Sequence, residues 1–327
     1  MKTKERLIVI TGGAGFIGSC LTRHLNDLGI KNLVLVDQLG RTEKWKNLVG
    51  KNIADILDKS QLFEWLRDKE AQVESIVHLG ACSTTVELDA SYLLENNYRY
   101  TKRLAEYAIE NDIPFIYASS AATYGDGAQG FLDDHSDIES LRPLNMYGYS
   151  KQLFDQWAKN QGVLDKVTGL KFFNVFGPNE QHKGRMSSAI LHMLPTARKD
   201  GLIRLFKSSE PEKFADGGQQ RDFIYIKDVV RMIHAFMANG AKGIYNIGTG
   251  IPNTWNDLAA ALFKALGMPA RIQYIDMPVD LQGKYQNYTA ADMQKTKNVL
   301  GTAAACMPLD DSVADYIQNY LLTGQSW

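Results

Sequence analysis

Two tyrosine–lysine pairs in the sequence have the spacing Tyr-x-x-x-Lys: Tyr147 with Lys151, and Tyr98 with Lys102. On a helix this spacing places the two side chains one turn apart on the same face. Oxidation of an alcohol needs a base for the hydroxyl proton, and a free tyrosine, with a pKa of about 10, is too weakly acidic to serve at neutral pH. A lysine cation nearby favours the phenolate, so such a pair can catalyse alcohol oxidation.

Position in the chain decides between the two pairs. Tyr147 begins a predicted helix after a strand that ends in Ser119 and Ser120, and α/β sheets place their sites at the carboxyl ends of strands. Tyr98 lies in the middle of a predicted helix, where a packing or surface pair is expected. We therefore predict that Tyr147 and Lys151 are catalytic. Ser120, rather than Ser119, is predicted to hold the alcohol oxygen.

The segment TGGAGFIG (residues 11–18) has the glycine content of a phosphate-binding loop. Gly12, Gly15 and Gly18 follow a predicted strand and open a predicted helix, so backbone N–H groups can approach a pyrophosphate. The spacing differs by one residue from G-x-G-x-x-G, and glycines alone would also fit a sharp turn. Asp37 ends the next predicted strand about 20 residues further on, as in dinucleotide-binding folds. This context predicts a bound dinucleotide.

The residues after Asp37 bear on which dinucleotide binds. An acidic residue here normally bonds the ribose 2′-hydroxyl and favours NAD. Arg41 and Lys44 follow closely and could neutralise the 2′-phosphate of NADP, although a solvated basic loop explains them too. The residues themselves leave NAD and NADP both open.

The elements that must position these groups alternate between strand and helix. Strands are predicted at 7–11, 32–37, 73–81, 114–120 and 170–178, and helices from 16 to 28 and near 60–69, 92–110 and 148–160. Such alternation predicts an α/β fold with a Rossmann-type, doubly wound parallel sheet. Further on, helices are predicted at 186–199 and 255–267, and returns to the sheet at 221–230 and 243–250.

This pattern also predicts two domains. The dinucleotide-binding domain comprises residues 1–174 and about 222–248, and a smaller C-terminal α/β domain for substrate comprises about 175–221 and 249–327. The length of 327 residues agrees with about two domains.

Composition excludes several classes of protein. Lys and Arg total 36 against 37 for Asp and Glu, which argues against a nucleic-acid partner. No apolar run approaches the 20 or so residues that span a membrane. The three cysteines, Cys20, Cys82 and Cys306, are widely separated, so we predict neither a disulfide framework nor a metal site. A cytoplasmic protein is expected.

Six segments in order resemble the extended short-chain dehydrogenase/reductase family: TGGAGFIG, HLGACS, YASSAATYG, YGYSK, NVFGP and RDFIYIKDV. Many members of this family act on nucleotide-linked sugars. Within it, FFNVFGPNEQHKG (172–184), GACST (80–84), ENNY (95–98) and GKYQNYT (283–289) are similar to the ADP-L-glycero-D-manno-heptose 6-epimerases. This resemblance implies an NADP-dependent epimerase that makes the heptose of the lipopolysaccharide inner core and assembles as a homo-oligomer, a pentamer.

The resemblance also implies a set of site residues. Cofactor contacts, together with the loop glycines, fall on Gly12, Gly15, Phe16, Ile17, Gly18, Asp37, Gln38, Lys44, Lys59, Leu79, Gly80, Ala81, Cys82, Ser83, Asn96, Lys151, Val175 and Lys183. Substrate contacts fall on Ser120, Asn174, Arg185, His192, Phe206, Arg221 and Tyr285. Tyr147 and Lys183 match the two catalytic acid/base residues. Arg185 departs from the family pattern, which has a small residue there, often serine.

A second acid/base has a physical reason. Inverting an alcohol carbon through a ketone means that hydride leaves one face and returns to the other, so the carbonyl must turn over and its oxygen must move. A second proton donor must wait at the new position, and Lys183 fits if burial lowers its pKa. As one lysine in a polar loop, it could equally be a solvated side chain.

Three alternatives remain at this point. A UDP-hexose 4-epimerase would keep Tyr147 and Lys151 but would not need Lys183. A nucleotide-sugar dehydratase would have an acidic pair where Ala121 and Ala122 stand. An inactive dinucleotide-binding regulator would have no use for the catalytic side chains.

Overall fold

The computed structural model describes residues 6–278 and 286–327. Its centre is a seven-stranded, fully parallel sheet with the order β11-β6-β5-β4-β1-β2-β3. The strands are β1 (Leu7–Thr11), β2 (Leu33–Asp37), β3 (Asp55–Asp58), β4 (Val73–His78), β5 (Phe115–Ser120), β6 (Val167–Phe172) and β11 (Gly243–Ile247). This confirms the predicted doubly wound parallel sheet.

Both faces of the sheet are covered, which explains why its strands read as continuous apolar runs. In β1 the neighbours Val9 and Ile10 are both fully buried, yet they belong to different apolar clusters on opposite faces. The same holds for Val34 and Leu35 in β2. Alternate side chains of a strand point to opposite faces, so the sheet separates two hydrophobic cores.

The connections between strands are mainly helical. The α-helices are α1 (Phe16–Asp27), α2 (Leu62–Trp65), α3 (Ala90–Leu93), α4 (Tyr100–Glu110), α5 (Met146–Asn160), α6 (Ala189–Asp200), α7 (Ile226–Asn239), α8 (Trp255–Leu266), α9 (Gln294–Leu300) and α10 (Leu309–Tyr316). A π-helical segment, Leu94–Arg99, joins α3 to α4. None of these helices in the described residues is both long enough and apolar enough to cross a membrane.

Within residues 6–278 and 286–327, six short strands form three separate pairs outside the main sheet. These strands are β7 (Asn174–Phe176), β8 (Ile203–Phe206), β9 (Gln220–Arg221), β10 (Phe223–Tyr225), β12 (Asn253–Thr254) and β13 (Ile272–Ile275). The pairs are β7 with β10, β8 with β13, and β9 with β12. The prediction that 221–230 returns to the main sheet was therefore wrong, because β10 pairs with β7 and α7 begins at Ile226. The division into two domains stays a prediction.

Two further differences separate prediction from structure. The strand β3 was not predicted, because DILD at the sheet edge is mostly exposed and has no apolar run. The helix predicted near 60–69 shrinks to the four residues of α2, preceded by a 3₁₀ turn at Lys59–Gln61.

Candidate active site

The main cavity, of about 820 Å³, opens at the carboxyl ends of the central strands. In the sheet, strand β1 lies between β2 and β4. The chain runs from β1 to β2 and β3 on one side and then returns to place β4 on the other side, so the strand order reverses at β1. The crevice at such a switch point is where doubly wound sheets bind ligands. The glycine loop, the Tyr147–Lys151 pair and Lys183 all line this cavity.

The glycine loop is packed backbone against backbone. Gly12 has a φ of +67°, and a Cβ there would lie 2.7 Å from the Gly80 nitrogen. A Cβ on Gly18 would collide with the Gly12 carbonyl oxygen. Gly15, at the N-cap of α1, has no side chain that could cover the first amides of the helix. The amides of Gly12, Gly13, Ala14 and Gly15 donate to acceptors within the protein. Phe16 and Ile17, at the start of α1, line the cavity, so the loop and this helix start form a cradle at which backbone N–H groups can bind a pyrophosphate.

Asp37 is held by donors on three sides. Its carboxylate accepts hydrogen bonds from the Ala14 nitrogen (2.9 Å) and the Gln38 nitrogen (2.7 Å), and the Lys44 ammonium lies 2.6 Å from it. Lys44 therefore already partly neutralises the charge at the end of β2. An adjoining cavity of about 130 Å³ is lined by Asp37 and Lys44 together with Gln38, Lys59 and Asn96. Lys59 donates to the Asn96 side chain at 2.9 Å.

The Tyr147 phenol lies at the start of α5, where Asn145 caps the helix by accepting from the Gly148 nitrogen at 2.9 Å. Burial raises the pKa of Tyr147, and a hydrogen bond with Ser120 opposes that rise. Burial also lowers the pKa of Lys151 to about 8, although the Asp155 carboxylate one turn further along α5 opposes this fall. Ser120, Tyr147 and Lys151 thus form one group at the cavity wall, in which Ser120 and Lys151 are buried and Tyr147 is half-buried.

Beneath Lys151 lies a buried ion pair that the sequence did not reveal. The Asp155 carboxylate accepts from the Lys171 ammonium, the Tyr117 hydroxyl and the Ser119 hydroxyl, each at 2.8 Å. Lys171 also donates to Thr123 at 2.6 Å. Both Ser119 and Ser120 line the cavity, but the Ser119 hydroxyl is engaged with Asp155, whereas Ser120 is hydrogen-bonded to Tyr147.

The second tyrosine–lysine pair is elsewhere. Tyr98 is half-buried against the apolar cluster around α4, and Lys102 lies 3.7 Å from Glu106 on the same helix. Neither residue lines the main cavity. A packing and surface role for this pair agrees with its position.

Lys183 lies on a 3₁₀ segment, Gln181–Met186, that follows β7. Its ammonium is 5.5 Å from the centre of the Phe16 ring, at the entrance to α1. Burial lowers its pKa, and the neighbouring Glu180 carboxylate opposes this fall. The chain thus brings a second amine of lowered pKa to the same cavity.

The predicted site residues divide by position. Those lining the main cavity are Gly12, Gly15, Phe16, Ile17, Gly18, Asp37, Lys44, Leu79, Gly80, Ala81, Cys82, Ser83, Ser120, Tyr147, Lys151, Asn174, Val175, Lys183 and His192. Arg185 is exposed and outside the lining, because the main chain turns at Gly184 (φ +53°). Phe206 ends β8, and Arg221 packs near the Trp255 ring, at 5.8 Å. Tyr285 lies outside the described residues.

Several cavity residues carry no sequence signal that would have marked them. Ser187 lines the cavity and its hydroxyl lies 3.1 Å from the His192 ring. Tyr92 and Trp255 also contribute to the wall, from α3 and α8. These residues come from segments distant in sequence, and only the fold brings them together. Within the described residues, no cluster of three His, Cys, Asp or Glu side chains suits a metal ion.

Comparison with known proteins places this geometry in a family. A model of the NAD dependent epimerase/dehydratase family matches residues 8–248. The chain belongs to this family. The family description and the glycine cradle both indicate a nicotinamide dinucleotide as cofactor.

Relatives within the family share nearly the whole chain. The ADP-L-glycero-D-manno-heptose-6-epimerase of Nitratidesulfovibrio vulgaris is 48% identical over 318 residues, covering 96% of this chain and 98% of that protein. That of Fusobacterium nucleatum is 45% identical over 333 residues, covering 98% and 100%. The crystal structure of Helicobacter pylori ADP-L-glycero-D-manno-heptose-6-epimerase aligns with a TM-score of 0.79 at 27% identity, covering 96% of each chain.

Proposed function

We propose that the protein is an ADP-L-glycero-D-manno-heptose 6-epimerase. It interconverts ADP-D-glycero-D-manno-heptose and ADP-L-glycero-D-manno-heptose by transient oxidation at C6, for the inner core of lipopolysaccharide. The observation that carries the proposal is the meeting of Tyr147, Lys151 and Lys183 around one cavity that also contains the glycine loop. The names of relatives at 48% and 45% identity support it.

NADP is the proposed cofactor. The residues present fit a dinucleotide, because Gly12, Gly15 and Gly18 bring backbone without side chains to the cavity and the start of α1 opens on the same cavity. Lys44, beside Asp37, supplies the positive charge that a 2′-phosphate requires. When bound, the nicotinamide ring supplies a hydride acceptor for the alcohol and a hydride donor for the ketone.

The protein's own side chains handle the protons. Tyr147, with Lys151 and Ser120 beside it, takes the proton of the C6 hydroxyl in one orientation of the sugar end. The exocyclic carbon–carbon bond then turns, which moves the carbonyl oxygen and presents the other face of C6. Lys183 holds the proton at this second oxygen position. The two groups exchange the roles of acid and base when the reaction runs backwards.

The remaining predicted contacts complete the proposal. Asn174 and His192 face the cavity and contact the sugar nucleotide. Arg185, Phe206, Arg221 and Tyr285 stay as predicted substrate contacts from the family resemblance. The same resemblance leads us to propose a cytoplasmic homo-oligomer, a pentamer, which light scattering coupled to size-exclusion chromatography would test.

The proposal is tested by incubating the purified protein with ADP-D-glycero-D-manno-heptose and separating the two epimers by anion-exchange chromatography. We expect conversion to an equilibrium mixture with no net consumption of NADPH. Tyr147→Phe should lower the rate by about 10²–10⁴-fold, whereas the matched control Tyr98→Phe should leave it unchanged.

Two results would favour the alternatives. Epimerisation of UDP-glucose without conversion of the heptose would indicate a UDP-hexose 4-epimerase. Tight dinucleotide binding without turnover of either sugar nucleotide would indicate a regulator.

A further inference from the structure

Glu180 is a fully buried carboxylate three residues before Lys183. Its two oxygens accept from both polar groups of Ser188: the backbone nitrogen at 2.6 Å and the hydroxyl at 2.5 Å. The backbone carbonyl of Glu180 accepts from the backbone nitrogen of Lys183 at 2.9 Å. One side chain therefore closes the segment 180–188, which carries Lys183 at its centre.

The closed segment is tied to the rest of the protein on two sides. The Tyr316 hydroxyl of α10 donates to the Glu180 carboxylate at 2.9 Å. On the other side, the Asn47 amide donates to the carbonyls of Asn179 (3.1 Å) and Ala14 (3.0 Å). Ala14 belongs to the glycine loop, so the segment is fixed relative to the cofactor cradle.

We propose that Glu180 is a positioning residue for Lys183: its buried carboxylate closes the 180–188 segment and places a negative charge near the ammonium group. Burial raises the pKa of Glu180, but the hydrogen bonds from Ser188 and Tyr316 oppose this rise and favour the carboxylate form. Because these donors occupy both oxygens, Glu180 acts on Lys183 as a neighbouring charge. The inference rests on the proposed acid/base role of Lys183. It adds a residue that explains how a lysine largely removed from water keeps its proton until the carbonyl oxygen arrives.

Few other groups around Glu180 can titrate. Those facing it are Lys183 on its own segment, Tyr316 on α10 and Cys20 on α1. His182, next to Lys183, is neutral near pH 7, because burial lowers its pKa to about 4. Burial raises the pKa of Cys20 to about 12, and burial also raises that of Tyr316. Cys20 and Tyr316 are therefore neutral near pH 7. A change in the pKa of Lys183 when Glu180 is mutated can thus be attributed to loss of the Glu180 charge.

The substitution Glu180→Gln isolates the charge. The amide oxygen can still accept from the Ser188 nitrogen, and the hydroxyls of Ser188 and Tyr316 can turn to accept from the amide NH₂. The pH midpoint for acetylation of Lys183 by a short pulse of acetic anhydride is read by peptide mass spectrometry. Removal of the negative charge should lower this midpoint by about one pH unit. Asp222→Asn, which neutralises another buried carboxylate held by the Thr249 and Gly250 nitrogens, should leave it unchanged.

Turnover gives an independent readout. Glu180→Gln should lower kcat for heptose epimerisation about tenfold, the equivalent of one pKa unit, with KM and the amount of retained dinucleotide unchanged. Because Glu180 acts through Lys183, the double variant with Lys183→Met should be no slower than Lys183→Met alone. Multiplying effects in the double variant, or an unchanged acetylation midpoint in Glu180→Gln, would overturn the inference.

Two further arms keep the test decisive. If Glu180→Gln does not fold, Tyr316→Phe removes one tie of the closed segment and should lower kcat by a smaller factor. This effect should vanish when Tyr316→Phe is combined with Lys183→Met; multiplying effects would contradict the inference. If the wild-type protein fails to convert the heptose, the proposed function fails, but the acetylation midpoint still decides whether Glu180 controls Lys183.

Discussion

At the scale of single residues, the proposed action of Tyr147 and Lys183 on opposite faces of one carbon makes a stereochemical prediction. Every net inversion uses both groups, so Tyr147→Phe and Lys183→Met should each lower the rate of epimerisation by about 10²–10⁴-fold. Each variant nevertheless keeps one competent group. With an aldehyde analogue of the heptose end, the two variants should transfer hydride with opposite facial preference, measured with deuterium-labelled cofactor and NMR.

The same experiment can refute the two-sided model. Epimerisation at a near wild-type rate by Lys183→Met would show that Lys183 takes no part in the reaction and would favour a mechanism with a single base. Identical facial preference in both variants would also contradict the model, even if both were slow.

Lys44 makes a second prediction at this scale. Its ammonium is 2.6 Å from the Asp37 carboxylate, so Lys44→Ala would leave that carboxylate to repel a 2′-phosphate. Loss of one charge-assisted contact corresponds to about 1.5–3 kcal/mol. We expect NADP affinity to fall selectively by roughly 10–100-fold, measured by isothermal titration of stripped protein. Equal weakening of NAD and NADP would show that Lys44 contacts another part of the dinucleotide.

At the scale of elements, a chain of hydrogen bonds fixes the ends of β1 and β4 under the cofactor loop. The Gly80 nitrogen donates to the Thr11 hydroxyl (3.1 Å), which in turn lies 2.6 Å from Nδ1 of His78. Nε2 of His78 lies 2.8 Å from the Thr101 hydroxyl on α4. Because the Thr101 hydroxyl donates its proton to the Asn97 carbonyl, it accepts from Nε2 of His78, which therefore carries a proton. In the neutral ring Nδ1 then accepts from the Thr11 hydroxyl.

This neutral histidine makes the sheet sensitive to acid. Burial lowers the pKa of His78 from 6.5 to about 3, so between these values the unfolded chain binds a proton that the folded protein excludes. Its contribution to stability is present above pH 6.5 and is lost as the pH falls toward 3, with a slope of about 1.4 kcal/mol per pH unit. Urea unfolding of wild type and His78→Gln at several pH values should show a shallower slope in the variant. Parallel slopes would contradict the assignment.

The elements also show how far the sequence could predict the structure. Strands such as β1 and β2 were predicted because burial on both faces requires uninterrupted apolar residues. Strand β3 lies at the sheet edge and is mostly exposed, so its sequence has no such apolar run. The glycine loop and Tyr147 could be placed because local spacing determines them. Glu180 could not, since a glutamate in a polar segment looks exposed until α10, more than a hundred residues later, supplies its donor Tyr316.

At the scale of the whole molecule, the cavity joins distant parts of the chain. Its wall includes the glycine loop after β1, Ser120 after β5, Lys183 before α6, and Trp255 and Leu258 on α8. The residues that would hold the dinucleotide therefore share one wall with three of the predicted substrate contacts, Ser120, Asn174 and His192. A bound cofactor would contact segments from both halves of the sequence and oppose their separation.

The last prediction concerns the cofactor as part of the folded protein. Because the proposed reaction returns its hydride in every turnover, tight binding of NADP does not slow it, and we expect the protein to purify with the dinucleotide bound. Stripping it should lower the melting temperature, and NADP added at 100 times its dissociation constant should restore about 2.7 kcal/mol of stability, measured by scanning calorimetry. In Lys44→Ala the stabilisation by NADP should shrink while that by NAD persists. Release of NAD alone from denatured wild-type protein would contradict the proposed preference for NADP. A melting temperature that neither dinucleotide changes would contradict the proposed dinucleotide site.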